Sequence, residues 1–160
     1  MVRILIVDDE VSILDGLRRN LRSFEKAWQI SFVDTSSVAL EILKQEKVDV
    51  FVFDMDVPKP DGAELSSITA DLYPNMARIA MSGKFDALTT YSMTTGPHRF
   101  LEKPFNPLQL IRMINDGCEE GQIKISPHDP YSKAELTPAL SREQRKELNR
   151  ERLRRLNITF

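Results

Sequence analysis

Asp8 with Asp9, Asp54, Ser82 and Lys103 sit at the ends of four apolar runs, at residues 4–7, 48–53, 79–81 and 100–101. If those runs are parallel strands of one sheet, all five side chains emerge at its carboxyl edge, where open α/β sheets bind ligands. Three carboxylates gathered there repel one another unless a cation neutralises them, so the set predicts a hard metal ion. Asp54 is placed to act as a nucleophile toward an activated phosphorus centre, forming an acyl phosphate. Such a transfer needs mainly the charge on the equatorial oxygens to be neutralised. Mg²⁺ held by Asp8, Asp9, Asp54 and a backbone carbonyl would do that, with Lys103 against one phosphoryl oxygen and the Ser82 hydroxyl donating to another.

Taken singly, each residue has a plainer role. An Asp-Asp pair after a strand can cap a helix, and Asp54, Asp56 and Asp61 can each serve a turn. Ser82-Gly83 can be a simple strand exit, and Lys103-Pro104 a surface lysine before a helix. What sets these roles aside is joint placement, since every member follows its own strand at the same end.

The intervening pattern supplies the elements that such placement requires. Short β-rich runs at residues 3–7, 28–33, 48–53, 77–81 and 98–101 alternate with helical periodicities. Ile13, Leu14, Leu17, Leu21 and Phe24 mark the first helix; Val38, Ile42 and Leu43 mark the second, with Ser36 or Ser37 as its cap. A third runs near 63–72 and stops before Pro74, and a weaker, Thr-rich one covers 85–94. The fifth starts at Asn106-Pro107, with Leu108, Ile111, Ile114 and Cys118 as its inward stripe. Five β–α units joined by short connections predict a doubly wound parallel sheet with helices on both faces.

Composition bounds the rest. A chain of 160 residues accommodates one domain and an extension, and 41% hydrophobic with 29% charged residues is ordinary for a globular protein. No apolar stretch nears the roughly 20 residues of a membrane span. No signal peptide is evident, and the single Cys118 cannot form an internal disulfide, so a cytoplasmic location is expected. Residues 1–137 hold 15 Lys/Arg against 21 Asp/Glu, a balance of −6, whereas residues 138–160 hold seven basic and three acidic side chains, a balance of +4. The body therefore makes a poor nucleic-acid surface. The basic tail could meet nucleic acid, an acidic partner or the body itself. Ser-Pro and Asp-Pro pairs make 122–137 a linker, and Ser141 with Gln144 can open a charged helix over 138–160. That tail carries too few leucines for a core or a helix-turn-helix of its own.

Four motifs together resemble the receiver domain of bacterial two-component response regulators. They are Ile6-Val-Asp8-Asp9-Glu10, Asp54-Met-Asp-Val-Pro58-Lys-Pro-Asp-Gly62, Ala80-Met-Ser82-Gly83 and Phe100-Leu-Glu-Lys103-Pro104-Phe105, within residues 1–121. The resemblance implies a flavodoxin-like five-stranded sheet in the order 2-1-3-4-5. It implies that Asp54 takes a phosphoryl group from a histidine kinase or a histidine phosphotransfer protein. Asp8 and Asp9 would bind Mg²⁺, with the carbonyl of Asp56 completing the protein ligands. Ser82 would move toward the phosphoryl group while Phe100 turns inward. That motion would remodel the face formed by the fourth helix, fifth strand and fifth helix, through which a downstream partner, an output domain or a second copy is controlled. The molecule would be a switch with at most slow self-catalysed turnover, not an enzyme.

Some positions depart from the family pattern. Val57 replaces a usual Met, and the stretch 94–99 is unlike the usual turn before the fifth strand, placing His98 and Arg99 on the signalling face. That variant resembles receivers joined to HD-related output domains. Asp54-Met-Asp56, Ser82 and Lys103 also resemble haloacid-dehalogenase-type phosphatases. There, however, the acidic metal pair follows the nucleophile in the chain, whereas Asp8-Asp9 precedes it.

Overall fold

Five apolar runs pair as one parallel sheet, as the alternating pattern predicts, in the order β2-β1-β3-β4-β5 that the family resemblance implies. The computed structural model describes residues 1–83 and 99–119, with Glu143, Glu147, Arg150, Glu151 and Arg154 singly. Its strands are β1 (Val2–Val7), β2 (Trp28–Val33), β3 (Val50–Asp54), β4 (Ala77–Ser82) and β5 (Arg99–Glu102). Its helices are α1 (Val11–Leu21), α2 (Ser36–Gln45), α3 (Gly62–Leu72) and α4 (Pro107–Glu119), and a 3₁₀ turn, Arg22–Phe24, follows α1. The helix expected over 85–94, His98, the linker and most of the tail lie outside the described residues. The five tail positions that are described are helical, and Arg150 pairs with Glu147 at 3.2 Å.

Side-chain alternation along the strands divides the core into two layers. Ile4 and Ile6 of β1 face α1 and α4, packing with Leu17, Leu110 and Ile114. Leu5 and Val7 face α2 and α3, packing with Leu40, Leu65 and Ile68. The central strands β3 and β4 are buried along their whole length, as parallel strands covered on both faces must be. Each fully buried side chain of this size stabilises the fold by about 1.5–3 kcal/mol, so the two strands bearing Asp54 and Ser82 are its most firmly held parts.

Local chemistry sets the helix boundaries. α3 opens with a capping box: the Glu64 N–H donates to Asp61 Oδ1 at 2.9 Å and the Asp61 N–H to Glu64 Oε2 at 3.3 Å. Asn106 caps α4 as expected, accepting from the Leu108 N–H at 3.0 Å. α2 is capped by Thr35, not by Ser36 or Ser37: its hydroxyl accepts from the Val38 N–H at 3.4 Å, leaving Ser36 to bond the Pro58 carbonyl.

The inward face of α2 is Ala39, Leu40 and Leu43, and Val38 is turned outward. The inward face of α4 likewise differs, being Leu110, Ile111 and Ile114. Leu108 is 58% exposed, since it points roughly 160° away from Leu110 on a helix of 3.6 residues per turn. Cys118 is exposed as well, one turn beyond the sheet that Ile114 covers.

Gly16 lies mid-helix in α1, where an added Cβ would meet nothing within 4 Å. Gly16→Ala should therefore raise stability by about 0.5–1 kcal/mol through the lower helix propensity of glycine, read as a higher urea midpoint at unchanged slope.

Candidate functional site

The register of the parallel ladders brings the strand exits level. Val7 pairs with Phe53, Asp54 with Met81, and Ser82 with Glu102. Asp8, Asp54, Ser82 and Lys103 therefore leave one carboxyl edge side by side. Asp8, Asp54 and Ser82 are buried, and the Lys103 side chain is only 14% exposed.

Lys103 is the hub. Its ammonium donates to Asp8 Oδ2 at 2.8 Å and lies 3.2 Å from Asp54 Oδ2 and 3.6 Å from Glu10 Oε1. The remaining oxygens are held by backbone. Asp8 Oδ1 accepts from the Glu10 N–H at 2.9 Å, and Asp54 Oδ1 from the Asp56 N–H at 3.3 Å. The Lys103 N–H donates to the Ser82 carbonyl at 2.8 Å, so the β5 exit is tied to the β4 exit. The Lys103–Pro104 peptide is cis.

Asp8 and Asp9 do not cap α1. The N-cap is Glu10, without any side-chain cap hydrogen bond, so these carboxylates are not consumed by the helix. One oxygen from each of Asp8, Glu10 and Asp54 lies within 4.8 Å of the others. Asp9 is exposed and outside that group. Glu10 was not singled out from sequence as a site residue, although it follows the Asp pair directly. Its inclusion comes from the bend of the chain between β1 and α1, which residue order does not reveal. All-carboxylate oxygen donors with no sulfur or imidazole suit a hard divalent cation such as Mg²⁺.

Electrostatics agrees with that donor set. Burial raises the Asp8 carboxyl above its ordinary 3.8, against the lowering effect of Lys103 and of the Glu10 N–H. Burial also opposes the charge of Lys103, but Asp8 and Asp54 outweigh it, and the ammonium pKa is raised. The stability that Lys103 contributes is thus complete below its ordinary 10.5 and is lost only as pH rises through a still higher value. Asp8 behaves in the opposite practical sense at neutrality: its contribution is complete below 3.8 and falls away as pH climbs through its raised value. A bound cation would offset that cost.

The loop after β3 is held on its far side by α3. Gly62 donates its N–H to the Met55 carbonyl at 3.2 Å, and a Cβ there would sit 2.4 Å from Met55 Cα and 2.9 Å from the Asp54 carbonyl oxygen. Only glycine permits this approach, so α3 begins in direct contact with the backbone that carries Asp54. Asp56 is exposed and sits in the turn after β3. On the other side of β4, Phe100 is half-buried in register with Ala80. Arg99 pairs with Asp116 of α4 at 3.6 Å.

Comparison with known proteins agrees with the arrangement. A family model described as the response regulator receiver domain matches residues 4–115. A putative NtrX-like response regulator of Rickettsia conorii is 31% identical over 133 residues, 81% of this chain and 28% of its own. The transcriptional regulatory protein YvrH of Bacillus subtilis is 33% identical over 69% of this chain and 46% of its own length. The chain thus spans between about a quarter and a half of these curated relatives. Among solved structures, a CheY-like receiver domain from Methanospirillum hungatei has a TM-score of 0.70 at 27% identity, covering 76% of this chain and 96% of that one. The signal receiver domain of an HD domain-containing protein from Pseudomonas fluorescens also scores 0.70, at 25% identity over 75% of this chain and 96% of its own.

Two substitutions test the geometry. Lys103→Met removes the cation between Asp8 and Asp54, and breaking a buried pair in this way costs about 3–5 kcal/mol when fully buried. The loss should be largest near pH 7, shrink as pH falls toward about 4 because Asp8 then takes up a proton, and be partly reversed by Mg²⁺, all read by urea unfolding. Gly62→Ala should leave the circular dichroism spectrum native while displacing the Asp54 and Met55 backbone amides, seen as chemical-shift changes centred on those residues.

Proposed function

The chain belongs to the response regulator receiver family, and on that footing we propose that Asp54 accepts a phosphoryl group from a phosphohistidine of a histidine kinase or histidine phosphotransfer protein. Receiver domains are signalling switches of the phosphorylation type, not classical enzymes. The observation that carries the assignment is the environment of Asp54: a buried carboxylate at the centre of the carboxyl edge, with Lys103 at 3.2 Å and two further acids beside it.

In the transfer, the phosphorus–nitrogen bond of the donor breaks as a bond forms from an Asp54 carboxylate oxygen. The imidazole leaves and takes up a proton from solvent. Mg²⁺ held by Asp8, Asp9, Asp54 and the Asp56 carbonyl, with Glu10 alongside, would supply neutralising charge to the phosphoryl oxygens. Lys103 is already oriented toward Asp54 and needs only a small displacement from Asp8 to meet a phosphoryl oxygen. Arrival of about two negative charges biases a two-state equilibrium. Ser82 donates its hydroxyl to the new group, and Phe100 takes the space that the hydroxyl vacates. The Arg99–Asp116 pair joins β5 to α4, so the change at Phe100 reaches the face that meets a downstream protein, an output domain or a second copy.

The domain limits follow the same reading: a receiver over 1–121, a linker over 122–137 and a basic tail over 138–160 that engages a partner. Among the described residues no helix is long and apolar enough to cross a membrane, which accords with a proposed cytoplasmic site of action. The switch controls a partner or an output domain, as in the relatives above that include a transcriptional regulatory protein and an HD domain-containing protein.

Asp54→Ala should abolish labelling by radioactive acetyl phosphate in the presence of Mg²⁺ while the urea midpoint stays near or above that of the unaltered chain. Retained labelling would remove Asp54 as the acceptor.

A further inference from the structure

β2 is one edge of the sheet, paired with β1 on one side only. Its six residues, Trp28–Val33, include no charged residue, proline or glycine, the usual means of blunting a free edge. Gln29 is exposed, and Ile30, Ser31, Phe32 and Val33 are half-buried. The carbonyls of Ala27 and Val33 accept from the N–H groups of Val2 and Asp8, so residues 27, 29, 31 and 33 turn their peptide groups toward β1. The N–H and C=O groups of Trp28, Ile30 and Phe32 therefore point outward along the edge. They form a template for one more strand.

The residues in and around β2 fit a second β2. Laid antiparallel to the first and centred on Ile30 in both copies, it sets Trp28 opposite Phe32 and Gln29 opposite Ser31. Each outward residue then exchanges two hydrogen bonds with its opposite, about six in all. The same register sets Lys26 against Asp34 at both ends of the pair. Both side chains are exposed, and among the described residues neither takes part in an ion pair. A slip of two residues either way destroys the match, setting Asp34 against Phe24 or Trp28 and Lys26 against Phe32 or Ser36. The Arg18 guanidinium lies over the Phe32 ring, 5.0 Å from its centre. Pairing brings Trp28 of the second copy beside that ring on the same face of the sheet. The two Arg18 groups stay roughly 13 Å apart along the strands, each already paired with its own Asp15.

We propose that two copies of this chain join through their β2 edges as an isologous dimer, antiparallel and centred on Ile30, so that two five-stranded sheets become one. The contact lies at the opposite edge of the sheet from β5, so the face around Phe100 is left clear. Antiparallel pairing sends the two acidic sites to opposite ends of the dimer. This assembly does not depend on the phosphoryl chemistry.

Sedimentation of the full chain should show a monomer–dimer equilibrium. Amide hydrogen exchange at Trp28, Ile30 and Phe32 should slow as protein concentration rises, while Gln29, Ser31 and Val33, bonded to β1, stay protected throughout. Lys26→Glu should weaken the dimer about tenfold by setting like charges together at both ends. The Lys26→Glu, Asp34→Lys double variant should restore it. Both positions are exposed, and an unchanged circular dichroism spectrum shows that each variant is folded. A chain that stays monomeric up to its solubility limit would overturn the proposal, as would a dimer that leaves those three amides in fast exchange. Slow exchange at every concentration would also overturn it, by assigning the edge to another segment of the same chain. A double variant as weak as the single one would remove the pairing centred on Ile30.

Discussion

One lysine between two buried carboxylates governs this structure. Asp8 and Asp54 have left water at the edge of the sheet, where the repulsion between them is poorly screened. The Lys103 ammonium, in contact with both, makes their proximity tolerable. Its own raised pKa is the mirror of that role. Everything that positions the ammonium follows from the parallel topology. β5 must lie beside β4 in register for Lys103 to emerge next to Ser82, and β3 must lie between β1 and β4 for Asp54 to stand at the centre.

The same interaction explains why the site is poised and not finished. Among the described residues, three carboxylates gather around a single close ammonium. Such a group favours a further cation, which the all-oxygen donor set suits. Order along the chain adds a constraint that charge alone does not. With Asp8 and Asp9 ahead of Asp54 in the chain, the acidic group gathers at the exits of the first and third strands, an order opposite to that expected of phosphatases built of similar residues.

Much of this was legible in residue order because parallel strands make a simple code. A buried strand reads as an unbroken apolar run, and whatever follows it lands at the carboxyl edge, so Asp8, Asp54, Ser82 and Lys103 could be grouped without coordinates. Features that depend on rotation about a helix or on the path of a bend were not legible. The cap of α2 falls on Thr35, one residue early, and the sheet meets that helix at Leu40 with Val38 turned out. Leu108 fits a heptad-like spacing with Ile111, yet the sheet touches α4 one face over, at Leu110. Glu10 joins the acidic group through the bend after β1, and Asp9 beside it points to solvent. Asp61 looked like a turn former, and its reciprocal bond with Glu64 shows that it also starts a helix.

Gly62 has a mechanical consequence. Because α3 starts against the backbone of Asp54 and Met55, and Ser36 of α2 bonds the Pro58 carbonyl in the same loop, Asp54 is braced along one flank. The other flank is held by the β3–β4 ladder, which the Met55 N–H extends past the strand end by donating to the Met81 carbonyl at 2.9 Å. With its backbone fixed on both sides, Asp54 leaves any rearrangement at this edge to the side chains around it, such as that of Lys103.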